Sequence, residues 1–473
     1  MEEQVMKKYK VALLRPFYES TIITPPLGIG YLSSYLKNNG YDVILIDALK
    51  DNLNKTDVLW VLQNNAIDVL GITCVSSFYK EVIDMSLFVK KHNENIKVVV
   101  GGVHPTFLPY QTLLESKCDY VVCGEGENAL KELLDNHFDN TGIRGVYSLN
   151  ELTSDKAHFT KAEAILKLDD IPFPDWEQMR PATYPAAPHG VFIKKRPIGI
   201  ISSSRGCPYS CKFCASPNFY DRKIRFRSPK NVVDEISLLV DKYHVKEIHF
   251  EDDNLTMNRQ HIVNICELIL ENNIRVYWSC PNGIRADKID DDLIKLMKKS
   301  GFYACALGIE SANMQILKNI NKKENIDTIK DAISILRKNK IEVCGFFIFG
   351  LPGETKETIR ETIEFSLKSG LTRANFNALS VMPGCDLFDE LYGDFIPDFS
   401  ANMYRKPNYL PVAGGSGGAT LEEIMMAQSI ATKKFYLRLP VLLNSMRYIK
   451  FSYLKRLFKR LREYHVFGTH ARH

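Results

Sequence analysis

The chain has 473 residues, 45% hydrophobic and 25% charged, the composition of ordinary globular domains of roughly 100–200 residues each, which excludes a disordered, collagen-like or disulfide-stapled architecture. Its 61 Lys and Arg against 56 Asp and Glu leave a formal charge of +5, too small for a global basic field, and no nucleic-acid partner is expected. No apolar run approaches the ~18–20 residues needed to cross a bilayer, and the start (Met1, Glu2, Glu3, Gln4) has no signal-like core, so a cytoplasmic location is expected. Eleven cysteines, an odd number spread over a long chain, fit a reducing compartment.

Apolar runs at 11–14, 43–46, 69–73, 98–100 and 120–123 alternate with helical patterns at 27–38, 58–65 and 80–91. This βα rhythm predicts a Rossmann-like, doubly wound parallel sheet over residues 1–142. Ligands of such sheets sit beyond the carboxyl ends of the strands. The loops expected there contain Arg15-Pro16, Cys74 to Ser77, Gly101-Gly102-Val103-His104 and Gly124-Glu125-Gly126-Glu127, with glycines that let backbone approach a large ligand. Between 143 and 190 the texture changes: Pro172, Pro174, Pro181, Pro185 and Pro188 sustain neither a helix nor a central strand, so this stretch reads as a linker.

From 191 to 413 the rhythm resumes with longer units. Strands are expected at 198–202, 247–250, 276–280, 303–308, 342–349 and 375–381, with helical patterns between them. Six βα units predict a partial (β/α)6 barrel of the TIM type, with chemistry at the C-terminal strand ends. A Gly-Gly-Ser-Gly-Gly run at 414–418 opens a helical C-terminal region, 414–473. Within it, residues 447–462 carry seven Lys or Arg and no Asp or Glu, with Leu454, Leu457, Phe458 and Leu461 at helical spacing. That pattern suits peripheral contact with an anionic membrane, an acidic or lipid-like substrate, or a docked terminal helix with a solvated face.

Directly after the first expected barrel strand stand Cys207, Cys211 and Cys214, spaced C-x3-C-x2-C. Three thiolates in one polar loop can hold three irons of a 4Fe-4S cluster and leave the fourth open. A structural zinc site would need a fourth Cys or His to close its tetrahedron, and none lies within about twenty residues of Cys214. This spacing after a barrel strand resembles the signature of the radical S-adenosylmethionine (SAM) superfamily. The resemblance implies that the open iron chelates SAM, that one electron from an external donor cleaves a sulfur–carbon bond, and that a 5′-deoxyadenosyl radical results. It also implies roles for later strand ends: Asp252 and Asp253 for the methionine ammonium, Glu310 for the ribose hydroxyls, and Gly350 and Phe213 beside the adenine. Cys280, Cys305, Cys344 and Cys385 read as packing residues.

The N-terminal motifs Pro25 to Leu32, Gly101 to Thr106 and Gly124 to Glu127 resemble the cobalamin-binding domain that precedes many radical SAM cores. The resemblance assigns corrin contacts to Cys74, Ser76, Gly101, Gly102, His104, Gly124 and Glu125. After the first strand, however, stands Arg15-Pro16-Phe17-Tyr18 in place of Asp-x-His-x-x-Gly, which implies the subgroup with no histidine side chain on cobalt. His104 is expected to hydrogen-bond within its loop rather than bind metal. The absence of Gly-x-Gly-x-x-Gly disfavours a dinucleotide. The expected function is therefore a cobalamin-dependent radical SAM enzyme, in first place a methyltransferase to an unactivated carbon of a small-molecule substrate. A cyclase or rearrangement enzyme of the same architecture is the alternative, and a cofactor-based sensor is the non-enzymatic reading.

Overall fold

The computed structural model describes residues 8–446 except 21, 155–158, 186–192, 394–396, 398 and 400–418. The basic segment 447–462, the whole 414–418 run and part of the expected linker lie outside the described residues.

The first sheet contains β1 (Lys10–Arg15), β2 (Asp42–Asp47), β3 (Val69–Thr73), β4 (Lys97–Gly101), β5 (Tyr120–Val122) and β6 (Val146–Tyr147), in the order β2-β1-β3-β4-β5-β6. All pairs are parallel except the last, in which β6 runs antiparallel on β5 and extends the sheet past residue 142. The central strands are nearly continuous apolar runs because helices cover both faces: β1 is buried from Val11 to Arg15. The strand order reverses between β1 and β3, and at such a switch point the helices diverge and leave a crevice. There Leu13 sits opposite Gly71, and a Cβ on Gly71 would stand 2.8 Å from the Leu13 side chain.

The second sheet is parallel throughout: β7 (Ile198–Ile201), β10 (Glu247–Phe250), β11 (Tyr277–Ile284), β12 (Phe302–Glu310), β13 (Glu342–Phe349) and β14 (Arg373–Ala378), in that spatial order. These are the six expected barrel strands. A two-stranded ribbon, β8 (Ser204–Arg205) with β9 (Arg225–Phe226), follows β7. The barrel helices begin with side-chain caps, for example Ser228, Asp290, Asn325 and Thr355, each accepting a backbone N–H of the first turn. The outer edge of β14 is covered by the helix Leu421–Tyr436: Gln428 donates to the Phe376 carbonyl at 2.7 Å and Tyr436 to the Ala374 carbonyl at 2.8 Å, which satisfies an otherwise open edge.

The two units share a core. Ile72, Cys74, Phe78 and Leu108 of the first pack in one cluster with Leu317, Leu379, Val381 and Leu387 of the second. Burying each such side chain contributes roughly 1.5–3 kcal/mol, so the C-terminal strand ends of both sheets are pressed towards one another. Cys280, Cys305, Cys344 and Cys385 are buried packing residues, as expected. No described helix is long and apolar enough to cross a membrane.

Candidate active site

Gly206 opens the cysteine loop at φ +101°, and a Cβ there would stand 2.1 Å from the Lys223 carbonyl oxygen, so only glycine fits this turn. The loop is then pinned from two sides. Lys212 N–H donates to the Ile320 carbonyl (3.0 Å) and Leu387 N–H to the Lys212 carbonyl (2.9 Å). The Asn321 amide donates to the Ser210 carbonyl (3.0 Å) and hydroxyl (2.6 Å), while the Arg285 guanidinium lies 3.8 Å over the Tyr209 ring.

Cys207, Cys211 and Cys214 are all free and partly buried. Burial pushes the Cys214 thiol up to about 12 and raises Cys207 and Cys211, against which Lys322 and Arg285 act. Among the described residues no three His, Cys, Asp or Glu side chains converge on a single-ion site. A 4Fe-4S cluster asks for something else: each thiolate holds a different iron, so the sulfurs stand further apart than the ligands of one ion. Three unpaired thiols on one pinned loop beside two cations fit that demand, because cations favour the thiolates the cluster requires.

At the end of β10 the carboxylates divide. Asp252 is buried and accepts from Ser203 N–H (3.1 Å), the Ser203 hydroxyl (2.7 Å) and the Ser204 hydroxyl (2.5 Å), so it holds the start of the cysteine loop. Asp253 accepts from the Ser216 hydroxyl at 2.6 Å and lines the central cavity together with Glu251. Of the acidic residues that end this strand, the sequence reading gave the ammonium to Asp252 and Asp253, whereas Glu251 and Asp253 are the two that line the cavity. The signal was present: side chains alternate along extended chain, which places 251 and 253 on one side and 252 on the other. Burial raises the Glu251 carboxyl to about 7.

Glu310 ends β12 in the left-handed region, φ +63°, where the ladder to β13 shifts register. Its carboxylate lies over Gly308, where a Cβ would stand 2.5 Å from Oε1, and it accepts from Lys322 at 3.2 Å. Burial raises the Glu310 carboxyl and Lys322 opposes this. Lys322 also pairs with Glu324 at 3.3 Å; burial pulls its ammonium down, but Glu310 and Glu324 outweigh burial and leave it raised. Twelve residues separate Lys322 from Glu310 with no motif between, so only the fold reveals their pairing.

Gly350, φ +90°, donates its N–H to Glu354. Leu351 N–H donates to the same oxygen at 3.3 Å, and the other oxygen of this fully buried carboxyl has no partner among the described residues. Burial raises Glu354 to about 7. The folded protein thus holds a proton that the unfolded chain releases near 4.5, so this group favours folding more at acid pH and loses that contribution as pH rises from about 4.5 to 7. Over that window the loss amounts to about 3 kcal/mol. Glu354→Gln keeps an acceptor for Gly350, and its urea-unfolding free energy is expected to vary less between pH 5 and 7 than that of the wild type. Phe213 packs on the shared apolar cluster that includes Leu317, Leu351 and Leu387.

Between the two sheets lies a cavity of about 520 Å³, within the range of cofactor and ligand pockets. The first sheet contributes Gly28, Gly71, Gly101, Gly102, Gly124 and Glu125; the barrel contributes Arg205, Ser216, Tyr220, Glu251 and Asp253. A Cβ on Gly102, φ +114°, would stand 2.5 Å from the Cys74 carbonyl oxygen, so the β3 and β4 loops meet there backbone to backbone. A glycine-lined crevice at the topological switch point, with apolar walls such as Leu13 and Val122, suits a bulky planar cofactor such as cobalamin.

Cys74, Ser76 and His104 stand behind this wall rather than on it. His104 is fully buried, stacks on Tyr79 with ring centres 3.9 Å apart, and its Nδ1 pairs with the Ser76 hydroxyl at 2.9 Å. Burial lowers its imidazole to about 3. Cys74 is buried and donates its N–H to the Gly101 carbonyl at 2.7 Å. The three side chains therefore brace the loops that face the cavity.

Residues 201–366 match the Radical SAM superfamily and residues 19–134 the B12 binding domain. An uncharacterized methyltransferase of Pyrococcus horikoshii is 31% identical to the chain, over 93% of this chain and 95% of that protein. The chain belongs to the radical SAM superfamily and carries a cobalamin-binding domain. It is 32% identical to the anaerobic magnesium-protoporphyrin IX monomethyl ester cyclase of Rubrivivax gelatinosus, over 80% of this chain and 68% of that protein. The solved structure of the cobalamin-dependent radical SAM enzyme OxsB, with aqua-cobalamin and S-adenosylmethionine bound, superposes with a TM-score of 0.72 at 18% identity, covering 97% of this chain and 71% of that one. This radical SAM protein is an enzyme, and its cofactors are a 4Fe-4S cluster, SAM and cobalamin.

Proposed function

We propose that this radical SAM enzyme methylates an unactivated carbon of a small-molecule substrate held in the cavity between the barrel mouth and the first sheet. The observation that carries the reading is that one cavity is walled by the Gly101-Gly102 and Gly124-Glu125 loops of the cobalamin-binding domain and by Arg205, Ser216 and Asp253 of the cysteine-loop side. The near full-length relative of Pyrococcus horikoshii, an uncharacterized methyltransferase, supports it. When bound, the reduced cluster and cobalamin supply, respectively, the electron that cleaves SAM and a carrier for its methyl group.

The chain's residues then divide the work. Cys207, Cys211 and Cys214 hold three irons and leave one open for the amino and carboxylate groups of SAM. Asp253, with Glu251 beside it, presents negative charge where the methionine ammonium approaches, and charge-assisted hydrogen bonds of this kind are the strong ones. Asp252 positions Ser203 and Ser204 and so the start of the loop. Glu310, backed by Lys322, offers a carboxylate to the ribose hydroxyls, and Gly350 leaves room for the base. The apolar wall excludes water, which protects a carbon radical from side reactions.

A second reading is ring closure without methyl transfer, favoured by the likeness to the cyclase of Rubrivivax gelatinosus. Methyl-labelled SAM separates the two. Given extracts of the source cell as substrate pool, methyl transfer is expected to place label in a small-molecule product alongside 5′-deoxyadenosine. Deoxyadenosine formed with an unlabelled, altered product would establish cyclisation or rearrangement instead.

A further inference from the structure

The expected corrin contact Glu125 is not a free carboxylate. Arg225 donates to both of its oxygens, at 2.6 and 3.0 Å, and Arg205 reaches it at 3.2 Å. Arg205 also donates to Glu127 at 2.8 Å, and its guanidinium lies 5.1 Å from the Tyr31 ring centre. Both carboxylates belong to the loop and first helical turn after β5, and both arginines to the ribbon after β7. All four side chains are largely buried, between 8% and 14% exposed.

Within the ribbon, Arg205 and Arg225 are direct cross-strand partners. Like charges in that position repel, and buried ones need a counter-charge. Among the described residues the carboxylates paired with them come from the cobalamin-binding domain, which completes the ribbon. Arg205 is two residues before Cys207, and Gly206 between them admits no side chain, so a shift of the ribbon passes directly into the cluster loop.

We infer that Arg205, Arg225, Glu125 and Glu127 form an interdomain clamp that positions the cluster loop against the cobalamin-binding sheet and thereby sets how efficiently a methyl group passes from SAM to the cofactor. The inference rests on the proposed function, but its test reads the clamp separately. Reductive cleavage of SAM to 5′-deoxyadenosine uses only the cysteine loop and strand ends of the barrel. Methyl transfer spans both units: the methyl C–S bond breaks, cob(I)alamin supplies both electrons of the new bond, and S-adenosylhomocysteine leaves. A misplacement of about 1 Å can cost about a hundredfold in such a step.

The full chain is reconstituted with iron, sulfide and hydroxocobalamin, reduced with titanium(III) citrate and given SAM. Arg225→Glu gives the ribbon its own carboxylate opposite Arg205 while repelling Glu125. It is expected to lower S-adenosylhomocysteine formation at least about tenfold, to leave 5′-deoxyadenosine within about twofold, and to raise hydrogen exchange in 124–127 and 204–226 together. Arg225→Lys, which keeps the positive charge facing Glu125, is expected to retain most of the transfer. Wild-type exchange and an unchanged product ratio in Arg225→Glu would overturn the inference, as would a parallel fall of both products. If the wild type forms neither product, the functional reading fails, while the exchange measurement still decides whether the clamp joins the two units.

Discussion

Exchange of Cys207, Cys211 and Cys214 together for alanine is expected to remove the iron–sulfur chromophore and to reduce 5′-deoxyadenosine formation to background. The three thiols are the only Cys side chains of the described chain that share one partly buried loop; Cys280, Cys305, Cys344 and Cys385 are packed into the protein and cannot substitute. Anaerobically reconstituted wild type should hold about four irons per chain and the triple variant almost none, while its circular dichroism stays native because Gly206, Lys212 and Asn321 still pin the loop. Retention of the chromophore in the triple variant would remove the basis of the reading.

Gly102→Ala is expected to have the largest effect on the other cofactor. The added Cβ meets the Cys74 carbonyl oxygen at 2.5 Å and must adopt φ +114° with ψ −166°, a region that non-glycine residues enter only with strain. Strain of roughly 1–3 kcal/mol and overpacking of roughly 1–3 kcal/mol add to about 4 kcal/mol. The backbone wall of the cavity moves, whereas the cysteine loop, attached to the other unit, does not. The variant should lose hydroxocobalamin on gel filtration but keep its iron, and equal retention of both cofactors would show that this wall does not contact cobalamin.

These two predictions differ in how much of their basis was legible in the sequence. The cysteine spacing and its position after a strand could be read directly, since three ligands in one short loop need no tertiary information to be adjacent. Both parallel sheets were equally legible, because continuous apolar strands alternating with helical patterns have few other solutions. Gly101, Gly102 and Gly124 were legible as strand-end glycines and Asp253 only through the resemblance to the radical SAM superfamily; all four line the one cavity.

His104 shows where that reasoning stops. A histidine in a strand-end loop looks available, yet its ring is stacked on Tyr79 and its pairing with Ser76 is internal to the first unit. Asp252 and Asp253 are neighbours in the chain with opposite tasks, because the backbone turns one towards Ser203 and Ser204 and the other towards the cavity.

The sequence by itself determined the order of two α/β units, the thiol set and the glycines at the strand ends, because each depends on local spacing and on hydrophobic periodicity. Only the tertiary structure decided that Glu310 lies against Lys322 and that Glu125 pairs with two arginines of the other unit. Charges are paired by distance in space, and the residues concerned are 80 to 100 positions apart in the clamp, a separation over which the sequence carries no signal.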